Sequence, residues 1–277
     1  MKTYILFHQN CQDGFGSAFA AWKHFGSSAT YIPVSHGNPP PEIPEDSLVY
    51  ILDFSYPREI LENLNKRMAK LQVIDHHKTA EEDLRGLPYC IFDMNKSGAL
   101  LSFEYFHGIE DTGPLHRQRN LIRYISDRDL WKFELPASKE VNAALSSYPK
   151  YFEVWDTLDT EYLAKEGEAI LRHIDTTVNL ICEHVLLTSK FKHLGYDNIP
   201  IVNSPAYVSD VGARLRELFP DAPFVCSYYH KQDVISKELL NCWSLRCKED
   251  FDVTPIAKAF VGGGHKQAAG FTERLVL

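Results

Sequence analysis

Three apolar runs in the first third of the chain each end in side chains that bind cations. Tyr4-Ile5-Leu6-Phe7 leads into His8 and then Asp13, Val49-Tyr50-Ile51-Leu52 into Asp53, and the run from Leu71 to Ile74 into Asp75-His76-His77. Short apolar runs bounded by turn residues read as buried strands. The segments between them read as helices: Ala18-Phe19-Ala20-Ala21-Trp22 is dense in helix formers, and Ile60, Leu61, Leu64 and Met68 recur at helical spacing behind Pro57. Strands alternating with helices predict an α/β fold with a parallel sheet covered on both faces. Ligands of such sheets bind outside the carboxyl ends of the strands, so His8, Asp13, Asp53 and His76 are expected around one crevice.

The segment 10–17, with its two glycines, reads as a turn before the first helix. Further along, residues 115–126 read as a helix, and Asp127-Arg128-Asp129 follows it as a third acidic site, in which spacing alone does not choose between Asp127 and Asp129. From 161 to 187, Leu163, Ile170, Ile174, Val178, Ile181 and Val185 recur at steps of seven, four, four, three and four, the pattern of one long helix with a single buried stripe. After it, strand and helix patterns restart at Ile199 and end in Gly262-Gly263-Gly264-His265 and Ala268-Ala269-Gly270-Phe271. A chain of 277 residues exceeds the usual single-domain size. The expected division is an α/β domain over 1–150, a helical linker over 151–192 and a smaller α/β domain over 193–277.

Charge and cysteine usage exclude several classes. Lys and Arg number 29 against 37 Asp and Glu, a net charge of −8, which argues against a long nucleic acid held through its backbone and leaves room for a small phosphorylated substrate in a local basic pocket. The six cysteines show no Cys-x-x-Cys pair, so neither a zinc ribbon nor a disulfide framework is indicated, and a cytoplasmic location is expected. The first residues carry too short an apolar run for a signal peptide, and no run reaches the length needed to span a bilayer.

Histidine and carboxylate donors together suit manganese, iron, cobalt or zinc. A pair of such ions is a common device for phosphoester hydrolysis. In that reading Asp53, central along the sheet, bridges the two ions, His76 and Asp127 complete one, and His8 serves the other.

Taken together, Asp75-His76-His77, His8 with Asp13-Gly14, Asp53 behind its strand, Asp127, and Gly262-Gly263-Gly264-His265 with Ala268-Ala269-Gly270-Phe271 resemble the DHH/DHHA1 phosphoesterases, a family that includes nanoRNases. The resemblance implies a parallel-sheet DHH domain, a helical linker and a smaller α/β DHHA1 domain, with the active site between the domains. It implies one or two manganese ions held by His8, Asp13, Asp53, His76 and Asp127. Asp75 would orient a histidine of its own motif, and His77 would face the scissile phosphate. Cys11 stands where the family usually has a second aspartate, and so enters as a candidate ligand. In the second domain Gly263, Gly264, His265 and Arg246 would grip the terminal phosphate or sugar.

The expected function is metal-dependent hydrolysis of short oligonucleotides, dinucleotides or nucleoside bisphosphates, by an enzyme that is compatible with a homodimer. Phe224, Tyr228, Tyr229 and Trp243 are candidates for a base-stacking surface. Two other readings remain: hydrolysis of cyclic mononucleotides or polyphosphate, and a nucleotide sensor that has lost turnover, which the replacement at Cys11 keeps open.

Overall fold

A computed structural model describes residues 1–9, 11–110, 113–233 and 236–275, and divides them into two compact units, Met1–Leu171 and Arg172–Leu277. In the first unit the order is β1 (Thr3–His8), α1 (Gln12–Phe25), β2 (Ala29–Val34), β3 (Leu48–Leu52), α2 (Arg58–Arg67), β4 (Lys70–Asp75), α3 (Lys78–Leu84), β5 (Cys90–Phe92), α4 (Gly98–His107), α5 (His116–Asp129), α6 (Ser138–Ser147) and α7 (Phe152–Thr157). The five strands form one sheet in the order β2-β1-β3-β4-β5, and every pair is parallel.

The two-residue period of the strands explains why both faces are covered. Ile5, Phe7, Tyr50, Leu52 and Ile74 point to one face and pack with Phe15, Phe19, Ala99, Ile122 and Ile125 from α1, α4 and α5. Their neighbours Leu6, Val49, Ile51 and Val73 point to the other face, where α2 supplies Leu61 and Leu64. The near-continuous apolar runs are therefore those of a sheet buried on both sides.

Chain direction reverses its walk across the sheet between β1 and β3, since β2 lies on one side of β1 and β3 to β5 on the other. This is the topological switch point at which open α/β sheets bind ligands. Phe7 pairs with Leu52 and Leu52 with Ile74, so the residues that follow, His8, Asp53 and Asp75, leave the sheet side by side.

Two local expectations are corrected. The helix after β1 begins at Gln12, so the segment read as a turn is already helical; Asn10 lies outside the described residues. Gly14 serves close packing there, because a Cβ at that position would lie 2.2 Å from the His8 carbonyl oxygen. The long helix, α8 (Thr160–Cys182), stops five residues before the end expected from its apolar stripe. Leu186 and Leu187 instead belong to a strand.

The second unit contains that strand, β6 (Leu186–Thr188), then β7 (Ile199–Asn203), α9 (Val208–Leu218), β8 (Phe224–Gln232), β9 (Leu239–Cys247), α10 (Thr254–Ala259), β10 (Gly263–His265) and β11 (Ala268–Arg274). They form a mixed sheet in the order β10-β11-β9-β8-β7-β6, with β7 and β8 parallel and the other pairs antiparallel. Its core gathers Phe191, Phe224, Trp243, Leu245, Val253 and Phe271. The aromatic residues proposed as a stacking surface are thus partly structural: Phe224 and Trp243 are buried, and the Trp243 indole donates to Glu273.

Candidate active site

Asp53 is the first residue beyond β3, and its backbone adopts φ 52°, a left-handed conformation that aspartate tolerates better than most residues. Its amide still donates to the Ile74 carbonyl at 2.9 Å, which anchors the turn to β4. The carboxylate, 1% exposed, meets His76 Nε2 at 3.2 Å through one oxygen and His8 Nδ1 at 3.6 Å through the other. Asp53 therefore lies between two histidines, one on each carboxylate oxygen.

Asp13 reaches the same point from the first turn of α1. Its two oxygens accept hydrogen bonds from the Gly98 and Ala99 amides at 2.7 and 3.0 Å, the first turn of α4, where unpaired amides and the helix dipole favour negative charge. One of those oxygens also lies 3.5 Å from His76 Nε2. Gly98 is required by proximity: a Cβ there would lie 2.5 Å from the Cβ of Asp53.

Asp75 closes the cluster from behind. One oxygen accepts from the His76 amide at 2.7 Å, the His77 amide at 3.3 Å and His77 Nδ1 at 2.7 Å, and the other accepts from the Ser55 hydroxyl at 2.6 Å. With both oxygens committed, Asp75 orients the His77 ring through Nδ1. Burial works against its ionisation, but the His77 charge and hydrogen bond outweigh it and hold the carboxyl down at about 2.

In the third acidic site it is Asp129 that lies beside His76. Its carboxylate stands 3.5 Å from His76 Nε2, with the side chain 26% exposed. Asp127, expected as a ligand, is turned away: its oxygens accept from the Glu134 and Leu135 amides at 3.0 and 3.2 Å, and hold the loop after α5.

The electrostatics of the pocket are those of a site short of positive charge. Burial raises the Asp13 carboxyl well above its ordinary range, with repulsion from Asp53 and Asp129 adding to it. Burial opposes charge on His76, yet Asp53, Asp129 and Asp13 together raise its pKa to about 10. A divalent cation would supply what these groups otherwise take up as protons. The donors are also close enough to share one: ligand atoms of Asp13, His76 and Asp129 lie within 4.8 Å of one another, and so do those of His8, Cys11 and Asp53. Carboxylate and imidazole form the first set, which suits manganese and its neighbours; the thiol in the second favours softer ions. Burial pushes the Cys11 thiol well above its ordinary value, with Asp53, Asp129 and Asp13 adding to it, so without a cation the sulfur stays protonated.

Several participants carried no sequence signal. Ser55 matters only because β3 and β4 are neighbours, and the Gly98 and Ala99 amides only because α4 starts beside α1. His36 follows β2, the strand next to β1; its ring lies 5.5 Å from that of His8 and stacks on Phe54 at 4.5 Å. Burial, then the nearby His8 and His77, lower its pKa to about 4, so it is neutral near pH 7.

In the second unit, Arg246 on β9 pairs across the sheet with Ala268 and packs its side chain on Gly212 of α9. Its guanidinium donates to the Leu245 carbonyl at 2.9 Å and the Ser209 hydroxyl at 3.2 Å. Burial, with Arg216 close by, lowers its pKa to about 10. Gly263, Gly264 and His265 form β10, opposite Gly270, Ala269 and Ala268. Gly264, at φ 140°, has no room for a side chain, since a Cβ would lie 2.5 Å from the Ala268 carbonyl. At Gly264 the glycine is thus explained by the hairpin itself.

No protein-family model matches the chain. Over 96% of its length it is 30% identical to the uncharacterized protein R106 of Acanthamoeba polyphaga mimivirus, of which it spans 66%, just under two thirds. Also over 96% of its length, it is 25% identical to oligoribonuclease NrnB of Bacillus subtilis, of which it spans 72%. The triplet Asp75-His76-His77, which carries the resemblance to the DHH/DHHA1 phosphoesterases, stands at the carboxyl end of β4. Among solved structures, the pGpG-specific phosphodiesterase PggH of Vibrio cholerae is 11% identical, aligned over 99% of this chain and 94% of that one, with a TM-score of 0.46. Among the described residues, no helix is long and apolar enough to cross a membrane.

Proposed function

We propose that the chain is a manganese-dependent phosphoesterase that hydrolyses short oligonucleotides, dinucleotides or nucleoside bisphosphates. The observation that carries this reading is the convergence of Asp13, Asp53, Asp129 and two histidines at the switch point of the sheet. Likeness to an oligoribonuclease across nearly the whole chain supports the substrate class.

Asp13, His76 and Asp129 would hold one ion, and His8, Asp53 and Cys11 a second, with Asp53 placed to serve both. Bound ions would polarise the phosphoryl oxygens and the attacking water. The chain's own residues do the rest. Asp75 fixes the ring of His77 by accepting from Nδ1, and opposes the loss of its second proton. Burial disfavours the charged ring, but Asp75 raises the pKa of His77 above its ordinary value. A protonated His77 held in this way would act as a proton donor to a phosphoryl oxygen or to the leaving group. In the second unit, Arg246 and the β10 hairpin with His265 would bind the terminal phosphate or sugar, for which the guanidinium fork is suited. All six cysteines are free, which fits a cytoplasmic enzyme.

The test is a panel of dinucleotides, nucleoside bisphosphates, cyclic nucleotides and polyphosphate with purified protein and manganese. Release of mononucleotides from the first group, abolished by Asp53→Asn, is expected. Ligand binding with no turnover on any member would instead favour the sensor reading.

A further inference from the structure

The loop after α5 carries two aromatic rings in an unusual setting. Trp131 and Phe133 both have left-handed backbones, φ 56° and 53°, a conformation that costs bulky residues energy. Of nine such non-glycine residues among those described, three fall between 131 and 137. The conformation is imposed from one buried point. Asp127 accepts from the Glu134 and Leu135 amides through its carboxylate and from the Lys132 amide at 2.8 Å through its carbonyl.

Both rings are partly exposed and lie edge to face with centroids 5.0 Å apart. Arg128 lies over Trp131 at 5.1 Å, and Lys139 over Phe133 at 5.2 Å. Trp131 is two residues from Asp129, whose carboxylate meets His76, so their Cα atoms are at most about 7 Å apart. Rings interleaved with cations are how proteins hold single-stranded nucleotides, since the rings stack on bases and the cations meet phosphate.

We propose that Trp131 and Phe133, with Arg128 and Lys139, form a nucleobase-stacking platform at the rim of the active site, and that Asp127 is the residue that builds it. The proposal rests on the reading of the chain as a nucleotide phosphoesterase and adds where the base next to the scissile phosphate is held. The platform makes the enzyme select for a base as well as for a phosphodiester.

The experiment compares the dinucleotide pApA with an abasic analogue that keeps the sugar-phosphate backbone. Trp131→Ala should raise KM for pApA about 10- to 100-fold, leave kcat and the abasic reaction within about twofold, and be rescued by Trp131→Tyr. Equal losses on both substrates, an unchanged KM, or no rescue by tyrosine would overturn the platform. A second arm is independent of turnover: pApA added with EDTA should quench tryptophan fluorescence, and Trp131→Phe should remove that quench. Quenching that depends on Trp131 without any hydrolysis would keep the platform and remove the hydrolase reading. Hydrolysis with a quench indifferent to Trp131 would do the reverse.

Discussion

Gly98→Ala is the smallest change that tests whether the carboxylate cluster is a single geometric object. The added Cβ would stand 2.5 Å from the Cβ of Asp53, 2.7 Å from one of its carboxylate oxygens and 2.9 Å from its Cα. Restoring contact to 3.4 Å, the lower edge of ordinary van der Waals packing, requires about 0.9 Å of movement. Asp53 cannot yield freely, because its amide is bonded to Ile74 and its carboxylate lies between His8 and His76. Gly98 cannot yield freely either, since its amide donates to Asp13. Overpacking of this kind costs about 1–3 kcal/mol, and a displacement near 1 Å at a catalytic group costs about 100-fold in rate. Urea denaturation should show that loss of stability, manganese titration calorimetry a loss of at least about tenfold in affinity, and dinucleotide hydrolysis a loss near 100-fold. Gly86→Ala is the control: no heavy atom lies within 4 Å of its added Cβ, and its strain at φ 88° should lower stability alone. A Gly98→Ala protein with wild-type metal affinity and turnover would refute the placement of Asp53 at the centre of the site.

Asp129→Asn should weaken manganese binding at least about tenfold by calorimetry with little change in urea midpoint, whereas Asp127→Ala should lower stability by about 1 kcal/mol because it removes the acceptor of two part-buried amides; the opposite pattern would restore Asp127 as the ligand. Acid stability reports Asp75: its carboxyl is lowered from 3.8 to about 2, so it contributes stability, about 2 kcal/mol, that is present above pH 3.8 and lost as pH falls through 2, and Asp75→Asn should flatten that part of the profile. His76 acts on the alkaline side of the metal-free protein, where a pKa raised from 6.5 to about 10 gives stability that is full below pH 6.5 and is lost as pH rises through 10; thermal melts in EDTA should show the decline, and manganese should abolish it. Cys11→Asp should raise manganese affinity about tenfold or more by exchanging a protonated thiol for a hard anionic donor, and unchanged affinity would remove Cys11 from the ligand set.

Much of this architecture was legible because buried parallel strands must be apolar on both faces. The runs at Ile5, Val49 and Val73 could be nothing else, and the histidine or aspartate that ends each run marked the edge where a site forms. What sequence could not supply was adjacency across the sheet. Ser55 reaches Asp75, and His36 reaches His8, only because of strand order, which no local pattern encodes. Nor did apolar periodicity locate the end of α8. Leu186 and Leu187 continue a plausible helical pattern, yet β7 offers unpaired backbone that recruits them as a strand.

The choice between Asp127 and Asp129 was within reach of sequence, had the phase of α5 been followed to its end. Gln118, Ile122 and Ile125 are buried at steps of four and three, and the next position on that stripe is 129. Two residues apart on a helix means nearly opposite directions, so a helix that aims Asp129 at His76 must aim Asp127 elsewhere. At the last turn of α5, elsewhere is the returning chain, whose amides at 134 and 135 need acceptors. One acidic pair thus serves two ends: Asp129 adds charge to the site, and Asp127 fixes the loop that carries Trp131 and Phe133. The short spacing that made the motif ambiguous is what ties the loop's conformation to the site's geometry.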